Sequence, residues 1–170
     1  MSDTLITIIA IALAAILMFI FPLMTMSDRT DDVAQLTVDT ATTEFVDDIR
    51  TTGKITQDKY DQFLQTIGST GNTYNVEMQA QILDENPGKK TTQANSKKIG
   101  EDVYYSIYTT QIENTLKNNN AYNLKEGDIV SVSVKNTNTT MSQQLSGGTS
   151  TGLTGTIAGE ASGIVTANGN

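Results

Sequence analysis

The chain has 170 residues, 19 acidic side chains against 11 basic ones, and a net charge of −8, with no His, Cys or Trp. A phosphate-binding surface needs clustered Lys and Arg, so no nucleic acid is expected as a direct partner. Without thiol or imidazole there is no such metal site, no Ser-His or Cys-His nucleophile and no disulfide. The carboxylates, Lys and Tyr that remain fall in no spacing that singles any out, so the chain is not expected to be an enzyme or to carry a cofactor.

The first element is Thr4 to Ser27, TLITIIAIALAAILMFIFPLMTMS, without one charged residue. About 20 apolar residues in a helix span about 30 Å, the hydrocarbon thickness of a bilayer. Pro22 interrupts the pattern. It cannot donate to the Met18 carbonyl and its ring crowds that group, which in a soluble helix interior costs ~3 kcal/mol. Two readings of Pro22 stand open: a bend that packing requires, or a kink tolerated in a membrane helix. The segment ahead of the run, Met-Ser-Asp-Thr, is acidic where a cleaved signal is basic. The run ends in Asp28-Arg29-Thr30-Asp31-Asp32 with no Ala-x-Ala-like site, so retention is expected. Neither flank has the Lys/Arg cluster that would set orientation.

Beyond this collar the period stays helical. Ala34, Val38, Ala41, Phe45 and Ile49 are spaced by four, three, four and four, one narrow apolar stripe that predicts packing on the head. Asp31, Asp32, Asp39, Glu44, Asp47 and Asp48 lie mostly off it. Gly53 is a C-terminal stop, with Arg50 and Lys54 near the negative end of the dipole. Thr37, Thr40, Thr42 and Thr43 lower the intrinsic propensity, so this half needs packing to stay helical. The whole predicts a rod of about 50 residues, about 75 Å long.

The head follows in order. Thr56–Ile67 predicts a helix, with Tyr60, Phe63, Leu64 and Ile67 at helical spacing, Thr56 as N-cap and Gly68 as stop. Tyr74–Ile82 alternates as a half-buried strand, with Tyr74, Val76, Met78, Ala80 and Ile82 inward. Residues 84–98 are loop by composition. Val103–Leu116 fits a helix through Tyr105, Tyr108, Ile112 and Leu116, although VYYSIY is rich in strand formers; helix is favoured. Asn118–Asn120 ends it. Gly127-Asp128 turns into a strand with Val130, Val132 and Val134 inward. The tail from Ser142 is Gly/Ser/Thr-rich, and Ile157, Ala161, Ile164 and Val165 allow a last strand.

These elements predict an α+β fold: a long N-terminal helix, apolar then amphipathic, packed on a small antiparallel sheet head. The expected divisions are 1–27 apolar helix, 28–52 amphipathic continuation, 53–141 head, and 142–170 tail. The stripe is expected over the sheet face bearing Val76, Met78 and Val132. Several residues admit two readings. Asp3 either neutralises a neighbouring copy's terminal amine or, with Ser2 and Thr4, caps the helix. Lys89-Lys90 and Lys97-Lys98 read as a solvated loop more readily than as a contact for an acidic partner. Asp28, Asp31 and Asp32 lack calcium-loop spacing and read as a charged collar at the lipid boundary. Asn138-Thr139-Thr140 is a glycosylation sequon by pattern alone.

The uncharged run Thr4–Ser27, Pro22 within it and the Ala34–Ile49 stripe together resemble the type IV pilins. Tyr60–Met78 and Gly127–Thr140 in the head are similar to pilin-like proteins of Firmicutes tight-adherence-type systems. The resemblance implies a structural subunit of a cell-surface filament, membrane-inserted before assembly. Its partners would be copies of itself, arranged in a helical homopolymer, and a pilus assembly machinery. It implies an assembly surface of Asp3, Leu5, Ile8, Ile9, Leu13, Ile16, Leu17, Phe19, Phe21 and Pro22. The alternative is a minor pseudopilin, or a monomeric membrane-anchored extracytoplasmic module of a secretion system. Three features depart from the pilin pattern. No basic leader ending in Gly precedes the run, which implies a chain already mature or never processed. Position 5 is Leu where pilins usually carry Glu, and no Gly precedes Pro22. There is also no Leu-Pro-x-Thr-Gly signal for covalent, sortase-built pili.

Overall fold

A single helix, α1 (Ser2–Thr52), carries the first third of the chain and continues through Pro22. This computed structural model describes residues 2–84, 104–145 and 156–169. The Lys-Lys pairs of the 84–98 loop and most of the Gly/Ser/Thr tract lie outside the described residues. After α1 come β1 (Lys54–Thr56), α2 (Gln57–Gly68), β2 (Tyr74–Leu83), β3 (Tyr104–Tyr108), α3 (Thr109–Asn119), β4 (Ala121–Asn123), β5 (Ile129–Asn136), α4 (Met141–Leu145) and β6 (Ala158–Ile164). β3-β2-β5-β6 form an antiparallel sheet of four strands, and β1-β4 a separate two-stranded ladder. The architecture is α+β, a long helix packed on small antiparallel sheets.

The end of α1 is fixed from two directions. Gly53 takes φ +69° and its N–H donates to the Ile49 carbonyl at 2.8 Å, the left-handed stop that glycine adopts without a Cβ penalty. The Arg50 carbonyl, orphaned in the last turn, accepts from the Thr166 N–H at 2.9 Å and the Thr166 hydroxyl at 3.0 Å. The C-terminal segment thus supplies the partners a helix end lacks. It also runs so close that a Cβ on Gly53 would lie 2.3 Å from the Ala167 carbonyl oxygen.

α1 lies over β6 and β5 and against α2, while α3 covers β2. The stripe therefore sits mainly over the β5–β6 half of the sheet, and only Val132 of the three expected sheet residues is on that half. The reason is steric. Along β6 the inward positions are Gly159, Ala161 and Gly163, and a Cβ on Gly159 would meet Thr42 Oγ1 at 2.9 Å and Val38 Cγ1 at 3.1 Å. Small residues there let the helix axis approach the sheet, whereas Tyr74, Val76 and Met78 of β2 fill that space with side chain. Ile157 and Val165 close the two ends of β6 and are fully buried. Ile164 points outward.

The favoured helix over Val103–Leu116 is corrected. Residues 104–108 are strand β3, paired with Gln79–Leu83 of β2, and the helix begins only at Thr109. Tyr and Ile suit a pleated edge better than a helix. Tyr105 and Tyr108, read as a helical stripe with Ile112 and Leu116, are exposed, while Ile112 and Leu116 are fully buried. Thr109 marks the change of geometry. Its hydroxyl accepts from the Met78 N–H at 2.7 Å and donates to the Met78 carbonyl at 3.2 Å, replacing the next rung of the ladder. Asn120, at φ +59°, ends α3.

Candidate functional site

The feature that sets this molecule apart is the half of α1 that the described residues of the head leave almost wholly uncovered. Its most apolar 18-residue window has a mean hydropathy of 2.9 and none of it is buried. Leu5, Ile8, Ile9, Leu13, Ile16, Leu17, Phe19 and Phe21 are each at least half exposed. From Ser2 to Met26 the helix projects about 37 Å at 1.5 Å per residue. Monomers in water rarely expose more than a few hundred Å² of contiguous apolar surface, so this half requires lipid, detergent or protein around it. It is long and apolar enough to cross a membrane, and a signal sequence passes the same test.

Local chemistry keeps the segment helical. Asp3 lies in the first turn, where a carboxylate opposes the positive end of the helix dipole. The Thr7 hydroxyl donates to the Asp3 carbonyl at 2.7 Å. At Pro22 the Met18 carbonyl loses its usual donor. Three residues on, the Thr25 hydroxyl donates to the Phe21 carbonyl at 2.8 Å and the Pro22 carbonyl at 3.1 Å. These bonds reach carbonyls on the C-terminal side of the break and leave the Met18 carbonyl to other partners; such back-bonding is associated with helix bending.

The head begins to cover α1 at Ser27, which is 4% exposed and donates to the Leu23 carbonyl. One turn on, Asp31 accepts a short hydrogen bond from the Ser142 hydroxyl of α4. Of the expected collar, Asp31 is therefore tied to the head, while Asp28 and Asp32 are exposed. A groove of about 420 Å³ opens here, lined by Leu23, Met26 and Thr30 of α1 and by Thr70, Asn72 and Met141 of the head.

The second set of predicted residues comes together in the core: Ala34, Val38, Ala41, Phe45 and Ile49 are all buried. Phe45 stacks on Phe63 with centroids 4.6 Å apart and planes 5° apart, and tilts against Tyr60 at 6.2 Å. Sequence reasoning missed Thr42 and Val46, also buried, which with Val38 form a flank at i, i+4 and i+8. Thr42 is tolerated there because its hydroxyl is bonded to the Val38 carbonyl at 2.6 Å. Two polar anchors were missed as well. The Gln35 amide pairs with both backbone groups of Ala158, at 2.6 and 2.9 Å, closing the start of the β6 edge. Arg50 Nε donates to the Ile164 carbonyl at the other end at 3.1 Å.

Titratable groups do structural work here. Burial, and then the hydrogen bond it donates to Glu113 at 2.9 Å, push the Tyr60 hydroxyl well above its ordinary pKa. Burial also raises Tyr122. Asp128, 2% exposed, accepts from the Leu83 and Lys125 N–H groups at 2.9 and 2.8 Å, fastening the β4–β5 turn to the end of β2. Among the described residues no group of three or more carboxylates is placed to hold a metal ion. Asn138 of the sequon is half-buried, its amide nitrogen bonded to Asn72 at 2.8 Å and its oxygen accepting from the Thr73 N–H at 3.0 Å. That side chain is a clasp between two loops, and glycosylation would require breaking it.

No family model, no curated protein and no solved structure matches this chain.

Proposed function

We propose that the protein is a structural subunit of a type IV pilus-like surface filament, built by packing the apolar half of α1 against the same half of other copies. The observation that carries the reading is the continuity of α1. A fully exposed apolar half passes without a linker into a half buried in its own head, within one 51-residue helix. That arrangement fixes the head relative to the greasy rod. A helical lattice needs a fixed angle between the two, whereas a bilayer anchor works as well on a loose tether. Before assembly the same segment would lie in the membrane. Asp3, at the tip of the rod, is the carboxylate available to a neighbour's N-terminal amine, and Pro22, inside the apolar half, lets the rod adjust to its neighbours ahead of the part of α1 that the head holds fixed.

Pro22→Ala separates this reading from a monomeric membrane-anchored module. The substitution restores the hydrogen bond to Met18 and introduces the best helix former, so the isolated helix becomes straighter and more stable. The shear-released and membrane-bound pools of the two chains are compared by immunoblot and electron microscopy. A filament subunit loses assembly or changes helical rise while its membrane pool stays normal. An unchanged distribution and symmetry would make Pro22 a passive kink and favour the anchored module.

A further inference from the structure

The groove between α1 and the head lies where the apolar run gives way to the charged collar. Leu23, Met26 and Asp31 line it from α1, over about 12 Å of helix axis at 1.5 Å per residue. The uncharged stretch from Thr4 to Leu23 is itself about 29 Å long, the hydrocarbon thickness of a bilayer. With that stretch in hydrocarbon, Met26 to Asp31 falls about 5–12 Å beyond it, through the headgroup layer. α1 is one unbroken helix here, so the groove keeps that depth whenever the rod is inserted. Its volume of about 420 Å³ is within the range of small-molecule sites, about 300–1,000 Å³.

The lining combines three kinds of chemistry. Leu23, Met26 and Met141 are apolar and 50%, 68% and 64% exposed, and Met141 belongs to the head, which thus adds an apolar side chain of its own at the mouth. Beside them are neutral donors with capacity to spare. The Asn138 amide nitrogen donates to the Asn72 side-chain oxygen at 2.8 Å, while the Asn72 amide nitrogen and the Thr139 hydroxyl have no hydrogen-bond partner among the described residues. Asp31 is the one charged side chain in the lining. The Ser142 hydroxyl donates to one of its oxygens, and the other accepts from nothing among the described residues. No Lys or Arg lines the groove. Arg29 lies about 160° round the helix from Asp31, on the far side.

We propose that the groove holds the headgroup of a phospholipid bearing a primary ammonium, the phosphatidylethanolamine class. The ammonium sits on Asp31, phosphate oxygens accept from Asn72 and Thr139, and the glycerol and first acyl carbons lie against Leu23, Met26 and Met141. The charges select this class. An anionic headgroup would meet Asp31 with no cation to offset it, and a quaternary ammonium brings charge without an N–H. A primary ammonium supplies both, and charge-assisted hydrogen bonds are the stronger kind. The proposal rests on the membrane-inserted stage of the reading above and not on the filament. A lipid clasped between α1 and the head would set the depth of the rod before assembly.

The test uses the full chain in vesicles of equal parts phosphatidylethanolamine, phosphatidylcholine and phosphatidylglycerol with identical acyl chains. A photo-reactive phenylalanine analogue replaces Met141 at the groove or Ile16 in the apolar run, and adducts are identified by mass spectrometry. Position 16 reports the bulk bilayer, so the comparison needs no further variant. The share of phosphatidylethanolamine among adducts at 141 should exceed that at 16 about two- to fivefold, the range of a partly exposed ion pair. Asp31→Asn, with the tyrosine circular dichroism of the wild type, should bring the two shares together. Equal shares in the wild type, enrichment of phosphatidylglycerol, or capture of a protein in place of lipid at 141 would overturn the site. Enrichment that persists in Asp31→Asn would overturn the seat on Asp31. In each of these cases lipid adducts at 16 leave membrane insertion standing, whereas no lipid at 16 would overturn insertion together with the site.

Discussion

Phe45→Ala tests whether the amphipathic half of α1 is part of the head's core. The ring is 6% exposed, stacked on Phe63 at 4.6 Å and in tilted contact with Tyr60 at 6.2 Å. Truncating a buried Phe costs ~3–5 kcal/mol through lost transfer energy and the cavity left behind, and the ring pairs account for ~0.5–1.5 kcal/mol of such a loss. Domains of this size have ~5–15 kcal/mol in all, so the variant sits near the threshold of folding. With a urea m-value of ~1–3 kcal/mol/M, the midpoint should fall by about 1–5 M. The assay is urea unfolding of the full chain in detergent micelles, followed by tyrosine near-ultraviolet circular dichroism. Leu36→Ala, on the same helix but 67% exposed, should leave the midpoint nearly unchanged. A Phe45→Ala midpoint equal to wild type would refute the packing described here, and equal losses for both variants would refute the division of α1 into a core face and an open one.

The remaining predictions concern the same core and its fastenings. Gly159→Ala places a Cβ 2.9 Å from Thr42 Oγ1 and 3.2 Å from the Val38 carbonyl oxygen. Such overpacking costs ~1–3 kcal/mol, readable in the same unfolding assay. Asp128→Ala strands the Leu83 and Lys125 N–H groups and should cost ~1–3 kcal/mol, with faster amide exchange at Leu83. Burial and the bond to Glu113 raise the Tyr60 pKa in the fold, so the stability it contributes is complete below the unfolded value of about 10 and is lost as pH rises beyond it. Tyr60 and Tyr122 should therefore ionise above the ordinary tyrosine value in a spectrophotometric titration; Tyr60→Phe removes one such late transition, and the absence of any transition above the ordinary value would contradict their burial.

Much of this fold is legible in the sequence because its long elements carry strong periods. The Ala34–Ile49 stripe, the alternation of Tyr74–Ile82 and the alternate valines of Ile129–Val134 each identify an element and its inward face. The failures are short elements and shared signals. Lys54–Thr56 and Ala121–Asn123 are too brief to show a period and exist only because they pair with each other. At Tyr104–Tyr108 a helical spacing coincided with strand formers, and pairing with β2 decided between them. Gly159 and Gly163 read only as part of a Gly/Ser/Thr-rich tail in which Ala161 and its apolar neighbours allow a strand, while the alternation of Gly159, Ala161 and Gly163 is the imprint of a helix lying close. The exposed surface of α1 divides in the same way. Leu5 to Phe21 stand out because charge is absent, whereas Val33 and Leu36 were obscured by the acids around them. Their exposure emerges only once the head is seen to occupy the opposite side of α1.

The most direct test of the account is electron microscopy of material sheared from the cells that produce the protein, labelled with antibody against the head and treated with protease. The account predicts labelled filaments in which the apolar half of α1 is protected within the core. Finding the chain only in the membrane fraction, with no labelled filament in the sheared material, would contradict it.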